Sequence, residues 1–104
     1  MDEYNVVISD LAKQDIQNTA SYIKHDLLEE AIAEKTTEAI LDAIFTLENM
    51  PMRIGLVKDE RLAAAHIRGL HIKNYTVFFR ANETLKTVEI VRVLYSRRDW
   101  AALL

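Results

Sequence analysis

The sequence contains no cysteine, one proline and two glycines in 104 residues. The lack of cysteine removes disulfides, thiolate nucleophiles and cysteine-ligated zinc. It fits a reducing compartment, so a cytoplasmic location is expected. Pro51, Gly55 and Gly69 are the only residues of those two types, so the elements must be long and their connections short. No interdomain linker is visible, and a single domain over residues 1–104 is expected. No apolar run approaches membrane-spanning length, and the acidic start Met1-Asp2-Glu3-Tyr4 does not resemble a secretion signal. Membrane association is therefore not expected. Nucleotide signatures of the GxGxxG or P-loop type are missing, as is HExxH. His25, His66 and His71 lack the spacing of metal ligands, so neither a metal nor a cofactor is expected.

Half of the residues are hydrophobic and 28% are charged, ordinary values for a folded domain. The net charge of −3 conceals a strong polarity. Residues 1–52 hold three Lys and eleven Asp or Glu, a balance of −8. Residues 53–104 hold ten Lys or Arg and five Asp or Glu, a balance of +5. All seven arginines lie in this second half: Arg53, Arg61, Arg68, Arg80, Arg92, Arg97 and Arg98. One acidic module and one module facing an anion would produce this pattern. Glu-rich helix faces turned to solvent would produce it as well.

Tyr4–Ile8 reads as a short strand. Ser9 is placed to cap a helix, with Asp10 favourable at its positive end. Ala12, Ile16, Thr19, Ala20, Ile23 and Leu27 then follow helical spacing, and a second stripe runs through Ala33, Thr37, Ile40, Ala43, Ile44 and Leu47. The stripes are out of phase. The thirteen residues from Leu27 to Ile40 turn about 1300° at about 100° each, an offset of about 220°. A break near His25–Leu28 resolves this, with Asp26 as the second N-cap and Glu29 three residues on. Pro51 ends the resulting helical hairpin. Ala65–Ile72, Tyr75–Arg80 and Val88–Tyr95 are then rich in β-branched and aromatic residues, and Ala81–Thr84 links the last two. The expected fold is α+β, in the order β-α-α-β-β-β, with the helical hairpin packed on an antiparallel sheet. Arg97–Leu104 is expected as a short helix or an extended tail. The expected core is Val6, Ile8, Ala12, Ile16, Ile23, Leu27, Ile40, Ile44, Leu47, Val77, Phe79, Ile90 and Leu94.

The strands carry the residues of chemical interest. Arg68 lies in an otherwise apolar strand. Strict alternation puts Arg92 on the face of Val88, Ile90 and Leu94, and Tyr95 on the other. An arginine in a strand faces solvent, pairs internally, or meets an anion, because burying it alone is costly. Its planar fork suits phosphate. Tyr95 can stack on a base or transfer a proton, or simply be a half-buried strand aromatic.

Ile67-Arg68-Gly69-Leu70, Asn74-Tyr75-Thr76-Val77-Phe78-Phe79-Arg80 and Ile90-Val91-Arg92-Val93-Leu94-Tyr95-Ser96-Arg97-Arg98-Asp99-Trp100, in this order, resemble the RelE/ParE superfamily. Its members are toxins of bacterial type II toxin–antitoxin modules. The resemblance spans essentially the whole chain and rests on the combination rather than on any one piece. It implies a cognate antitoxin whose C-terminal segment wraps the toxin, a role in growth inhibition and plasmid stabilization, and no cofactor.

Two activities occur on the fold. RelE-like members cleave mRNA on the ribosome, using the substrate's 2′-OH. By resemblance, Arg68 would hold the phosphate, Tyr95 would be the acid/base or stacking group, and Arg97 or Arg98 would assist. Glu60 matches a family glutamate poorly in spacing. ParE-like members poison DNA gyrase and lack a full catalytic set. Arg61, Arg92, Arg98 and Trp100 are then candidates for contact with the target or with nucleic acid. The ending Leu-Tyr-Ser-Arg-Arg-Asp-Trp, the pI near 5.6 and the few basic residues between Arg53 and Arg68 favour the ParE-like branch. The mRNA endonuclease is the alternative, and a non-toxic antitoxin-binding relative is a second. Leu28, Phe45, Leu103 and Leu104 fit neither helix stripe. They are candidates for the antitoxin-facing surface, on the outside of the hairpin and at the sheet edge, although scattered surface hydrophobics are common.

Overall fold

Ser9 organises the start of the chain. It ends β1 (Asn5–Ile8) and caps α1 (Asp10–Ser21), its hydroxyl accepting from the Ala12 amide at 3.1 Å. The computed structural model describes residues 3–98 and 100–104, without the side chains of Trp100 and Ala101. After α1 the chain widens into a π-helical turn, Tyr22–Asp26, and passes through Leu28 at φ 56°. It then enters α2, Glu30–Phe45. The helical hairpin is therefore present, but its break falls later than the sequence suggests. Asp26 belongs to the first helical run, and Glu29 occupies the N-cap position of α2 without a side-chain bond.

The π turn also explains Leu27. The sequence places Leu27 in the core, yet it is 52% exposed. The wider winding re-aims Leu27, whose amide reaches back to the Tyr22 carbonyl at 3.2 Å. Ala12, Ile16, Ile23, Ile40, Ile44 and Leu47 are buried as their stripes require, while Val6 and Ile8 pack half-buried against the same cluster.

The chain leaves α2 through two short 3₁₀ turns on either side of Asn49-Met50. Arg53 folds back over this end. Its guanidinium donates to the Asn49 carbonyl at 2.6 Å, the Met50 carbonyl at 3.1 Å and the Thr46 hydroxyl at 3.0 Å. A cation is favourable there because helix C-termini carry unpaired carbonyls and partial negative charge. Residues 60–64 form α3 (Glu60–Ala64), capped by Asp59, which accepts from the Leu62 amide at 3.0 Å. The reading of Ala65–Ile72 as strand missed the end of this helix. The strand starts only at Arg68, after His66 has reversed the chain at φ 63°.

β2 (Arg68–Ile72), β3 (Tyr75–Asn82) and β4 (Thr87–Tyr95) form an antiparallel meander. β1 joins alongside β4 in parallel, giving the order β1-β4-β3-β2. The sheet is thus mixed rather than antiparallel throughout. A crossover through the helical hairpin allows the parallel pair, which a hairpin turn cannot make. A short helix, α4 (Trp100–Leu103), ends the chain.

Two cores lie on the two faces of the sheet. The helices cover Val77, Phe79, Val88, Ile90 and Val93 on one face. Leu62 of α3, with Ile67, Phe78 and Leu94, fills the other, and Val57, Val91 and Leu104 pack around it. The split of Val93 from Leu94, and of Ile90 from Val91, follows from a bulge. Phe78 faces Arg92 and Phe79 faces Ile90, so Val91 is the extra residue. The bulge breaks the strict alternation expected of β4. Leu94 therefore leaves the face of Val88 and Ile90.

Candidate functional site

β1 protects the edge of β4 only as far as Ile90. Beyond it, α1 takes over through side chains. The Ser9 hydroxyl donates to the Val91 carbonyl at 3.0 Å, and Asp15 accepts from the Val93 amide at 2.9 Å. The same Asp15 carboxylate takes two bonds from Arg92, at 2.7 and 2.8 Å. These bonds outweigh the burial that would otherwise lower the Arg92 pKa, so it is raised above its ordinary value. Arg92 Nη1 also lies 3.5 Å from the Leu103 carbonyl. Arg92, a sequence candidate for target contact, is thus committed to joining α1, β4 and α4.

Arg68 is committed as well. Its Nη1 donates to the Ile54 carbonyl at 2.6 Å and reaches the Met52 carbonyl at 3.5 Å. It ties the segment after Pro51 to β2, beside the bridge between Leu56 and Arg68. Arg80 pairs with Glu89 at 2.9 Å across exposed positions, and Arg61, exposed on α3, also has a partner within the protein. Glu60 is the first residue of α3. The basic half of the sequence is therefore largely spent on holding loops and strands together.

The sheet does not bring Arg68 and Tyr95 together. Arg68 stands opposite Phe79, whereas Tyr95 stands opposite Tyr75. Four residues along β3 are about 13 Å, and two strand spacings are about 9.6 Å, so the Cα atoms of the pair are about 16 Å apart. Arg97 and Arg98 follow Tyr95 after Ser96 and are exposed. Their side chains make no hydrogen bond or ion pair among the described residues. The Trp100 side chain lies outside the described residues.

Around Tyr95 the structure forms a cleft of about 930 Å³ between the helical hairpin and the end of the sheet. Tyr22, Leu27 and Ile32 contribute from the helices; Lys73, Tyr75, Tyr95 and Arg98 contribute from the sheet end. The Tyr75 and Tyr95 rings meet edge to face, with centroids 5.7 Å apart, a favoured aromatic geometry. Burial raises the Tyr75 pKa above 10, against a hydrogen bond from Thr19 that lowers it; Tyr95 and Tyr22 add to the rise. Sequence reasoning found Tyr95 and Arg98 but missed Tyr22, Lys73 and Tyr75. Their only signal is aromatic and basic character near turns, and the tertiary fold alone assembles them.

On the other face, the His71 ring nitrogen Nδ1 lies 3.0 Å from the Thr76 hydroxyl, which lies 2.8 Å from the Ser96 hydroxyl. Thr76 is buried, and this chain of polar groups satisfies it. Among the described residues, no group of His, Asp or Glu is arranged to hold a metal ion, and no helix is long and apolar enough to cross a membrane.

The mixed sheet with its helical hairpin defines an α+β domain of the kind found in toxin–antitoxin complexes. The fold is similar to the toxin–antitoxin complex RelBE2 from Mycobacterium tuberculosis, with a TM-score of 0.64 and 19% identity over 89% of this chain and 98% of that one. It is also similar to the chromosomal ParDE toxin–antitoxin system of P. aeruginosa, with a TM-score of 0.71 and 16% identity over 89% and 96% of the two chains. Residues 6–100 match the family of ParE toxins of type II toxin–antitoxin (parDE) systems, and the chain belongs to that family. No curated protein gives a significant match.

Proposed function

We propose that this toxin acts by docking on a protein target rather than by cutting RNA, with DNA gyrase as the first target to test. One observation carries this reading: the Arg68 guanidinium donates to the Ile54 carbonyl at 2.6 Å and reaches the Met52 carbonyl at 3.5 Å, so it is engaged within the fold. A nuclease that activates a 2′-OH needs a cation offered to the phosphate beside its proton-transfer group. Tyr95, Arg97 and Arg98 remain available as contact residues at the cleft end of the molecule.

A cognate antitoxin neutralises the toxin on this reading. Leu28, Phe45 and Leu103 are exposed and suit an antitoxin-facing surface, whereas Leu104 packs into the second core.

The test compares purified chain in two assays. Inhibition of gyrase supercoiling, with intact messages in a translating extract by primer extension, is the expected result. Codon-positioned cuts that disappear in Arg68→Ala would establish the endonuclease instead. A fully folded chain with neither effect, and no growth defect on expression, would point to the non-toxic relative.

A further inference from the structure

β1 lies at one edge of the sheet. The amides of Asn5 and Ser9 bond to the Lys86 and Ile90 carbonyls at 2.8 and 3.1 Å. A strand turns successive backbone groups to alternate sides, so the N–H and C=O of Val6 and Ile8 point away from β4. Tyr4 belongs to the same outward series and gives its amide to the Glu48 carbonyl at 2.8 Å. For Val6 and Ile8, no described element supplies a backbone partner. Four backbone groups therefore stand in a row with their bonding capacity unused, which a folded chain rarely leaves.

The other edge of the sheet is covered. Beside β2, the Val57 amide bonds to the Ile67 carbonyl at 3.0 Å, and the Gly69 amide to the Gly55 carbonyl at 3.4 Å. β1 has no such cover. It also lacks the devices that keep an edge from pairing: Asn5-Val6-Val7-Ile8 holds no charge, no proline and no bulge. Val6 and Ile8 pack on the helical core, so Val7 points to the opposite face, where it is 49% exposed. Leu11, 59% exposed, precedes Asp15 by one helical turn and shares the side of α1 that faces this edge.

The open stretch is bounded at both ends. The Tyr4 bond and the Glu3–Asn49 bridge close its start, and Ser9 turns the chain into α1 at its finish. A long foreign strand would run into residues 48 and 49. A second β1, antiparallel about a two-fold axis through Val7, is short enough to fit. Val6 then faces Ile8 of the second copy, and each such pair exchanges two bonds, so every free group of both edges is used. Val7 meets Val7 of the second copy in the closer, non-hydrogen-bonded geometry, apolar against apolar. The next pair, Asn5 with Ser9, is uncharged. The helices have room as well. α1 stands over β4, where Asp15 holds it, and the two β4 strands would be three strand spacings, about 14 Å, apart. Packed helices need only about 8–10 Å.

We propose that β1 is a self-association edge: two copies of this chain pair their β1 strands antiparallel about Val7 and join two four-stranded sheets into one. Both helical hairpins then lie on the same face, and the two Tyr95–Arg98 ends point to opposite ends of the assembly. The interface is small, so the dimer is weak and forms in the micromolar range.

Sedimentation equilibrium of the purified full chain over a wide concentration range tests this. Wild type is expected to pass from monomer to dimer as concentration rises. Val7→Asp and Val7→Lys each set like charges against one another across the axis and stay monomeric, whereas an equimolar mixture of the two restores the dimer. Val7 lies outside the core, and circular dichroism confirms that both variants are folded. Val7→Cys then gives the chain its one cysteine. The Cα atoms of such a pair lie about 4.5 Å apart, within disulfide range, so mild oxidation yields a cross-linked dimer much faster than for Leu85→Cys, which is more exposed but distant from the axis. A chain that stays monomeric at every concentration would leave the edge to a foreign strand and overturn the proposal. A dimer indifferent to the charge at Val7, or equal cross-linking at the two cysteines, would overturn it too.

Discussion

Asp15 and Arg92, 77 residues apart in sequence, meet through two hydrogen bonds of 2.7 and 2.8 Å, and Asp15 also holds the Val93 amide. One carboxylate thereby closes the strand edge that β1 leaves open and fixes α1 to the sheet. Removing it strands a largely buried guanidinium and a buried backbone amide. Asp15→Ala should cost about 3 kcal/mol, measured by urea denaturation. Asp15→Asn keeps the shape and an acceptor, and should cost less. An unchanged urea midpoint in Asp15→Ala would contradict the role assigned to this pair.

Tyr75 gives the protein an alkaline dependence. Its folded pKa is raised above 10, so the folded state holds the phenolic proton more tightly than the unfolded chain. The stabilisation is complete below about pH 10 and is lost as pH rises through the folded value. Tyr75→Phe should flatten the fall in melting temperature over that alkaline range. An identical slope in wild type and variant would remove Tyr75 as its cause.

Arg68→Ala should loosen the segment from Met52 to Leu56 and cost about 1.5 kcal/mol, a typical figure for a charged donor on backbone carbonyls. Hydrogen exchange should rise at Gly69 and Val57, whose amides bond to the Gly55 and Ile67 carbonyls. Under the docking reading, toxicity per folded molecule stays the same. A total loss of toxicity with normal stability would restore Arg68 as an active-site group.

Lys73→Gly should relieve the positive φ of 52° in the β2–β3 turn. Glycine accepts that conformation without steric cost, so the turn should gain up to about 1 kcal/mol. Thermal melts of wild type and variant read the change, and an unchanged or lower melting temperature would contradict it.

Gly69 is required for space. A Cβ there would lie 3.2 Å from Val57 Cγ1 and 3.3 Å from Thr76 Cγ2. Gly69→Ala should cost about 1 kcal/mol through overpacking. Gly55→Ala meets nothing within 4 Å and should be near neutral in the same thermal melt.

The sequence by itself determined the element order and most of the core. Periodicity alone located Ile16, Ile40, Ile44 and Leu47, because a helix must bury one stripe. Ser9 announced the first helix through its capping chemistry. Asp59, ahead of Glu60–Ala64, carries the same capping chemistry for α3, a helix absent from the expected element order. Leu27 was misplaced by the π turn, and Leu94, buried as expected, lies on the opposite face because of the bulge in β4; neither irregularity has a sequence signature. Which arginines bond to carbonyls and carboxylates of their own chain is visible only in the tertiary structure. Seven arginines in one half look like a surface for anions. Four of them bond within the chain: Arg92 to Asp15, Arg80 to Glu89 across the exposed sheet surface, and Arg53 and Arg68 to carbonyls of residues 46–54, the last two pairing carbonyls left bare at a helix end and in a loop. The cleft is a product of packing in the same sense. Tyr22, Lys73, Tyr75 and Arg98 are scattered along the chain, and only the closure of the helical hairpin over the end of the sheet makes them neighbours.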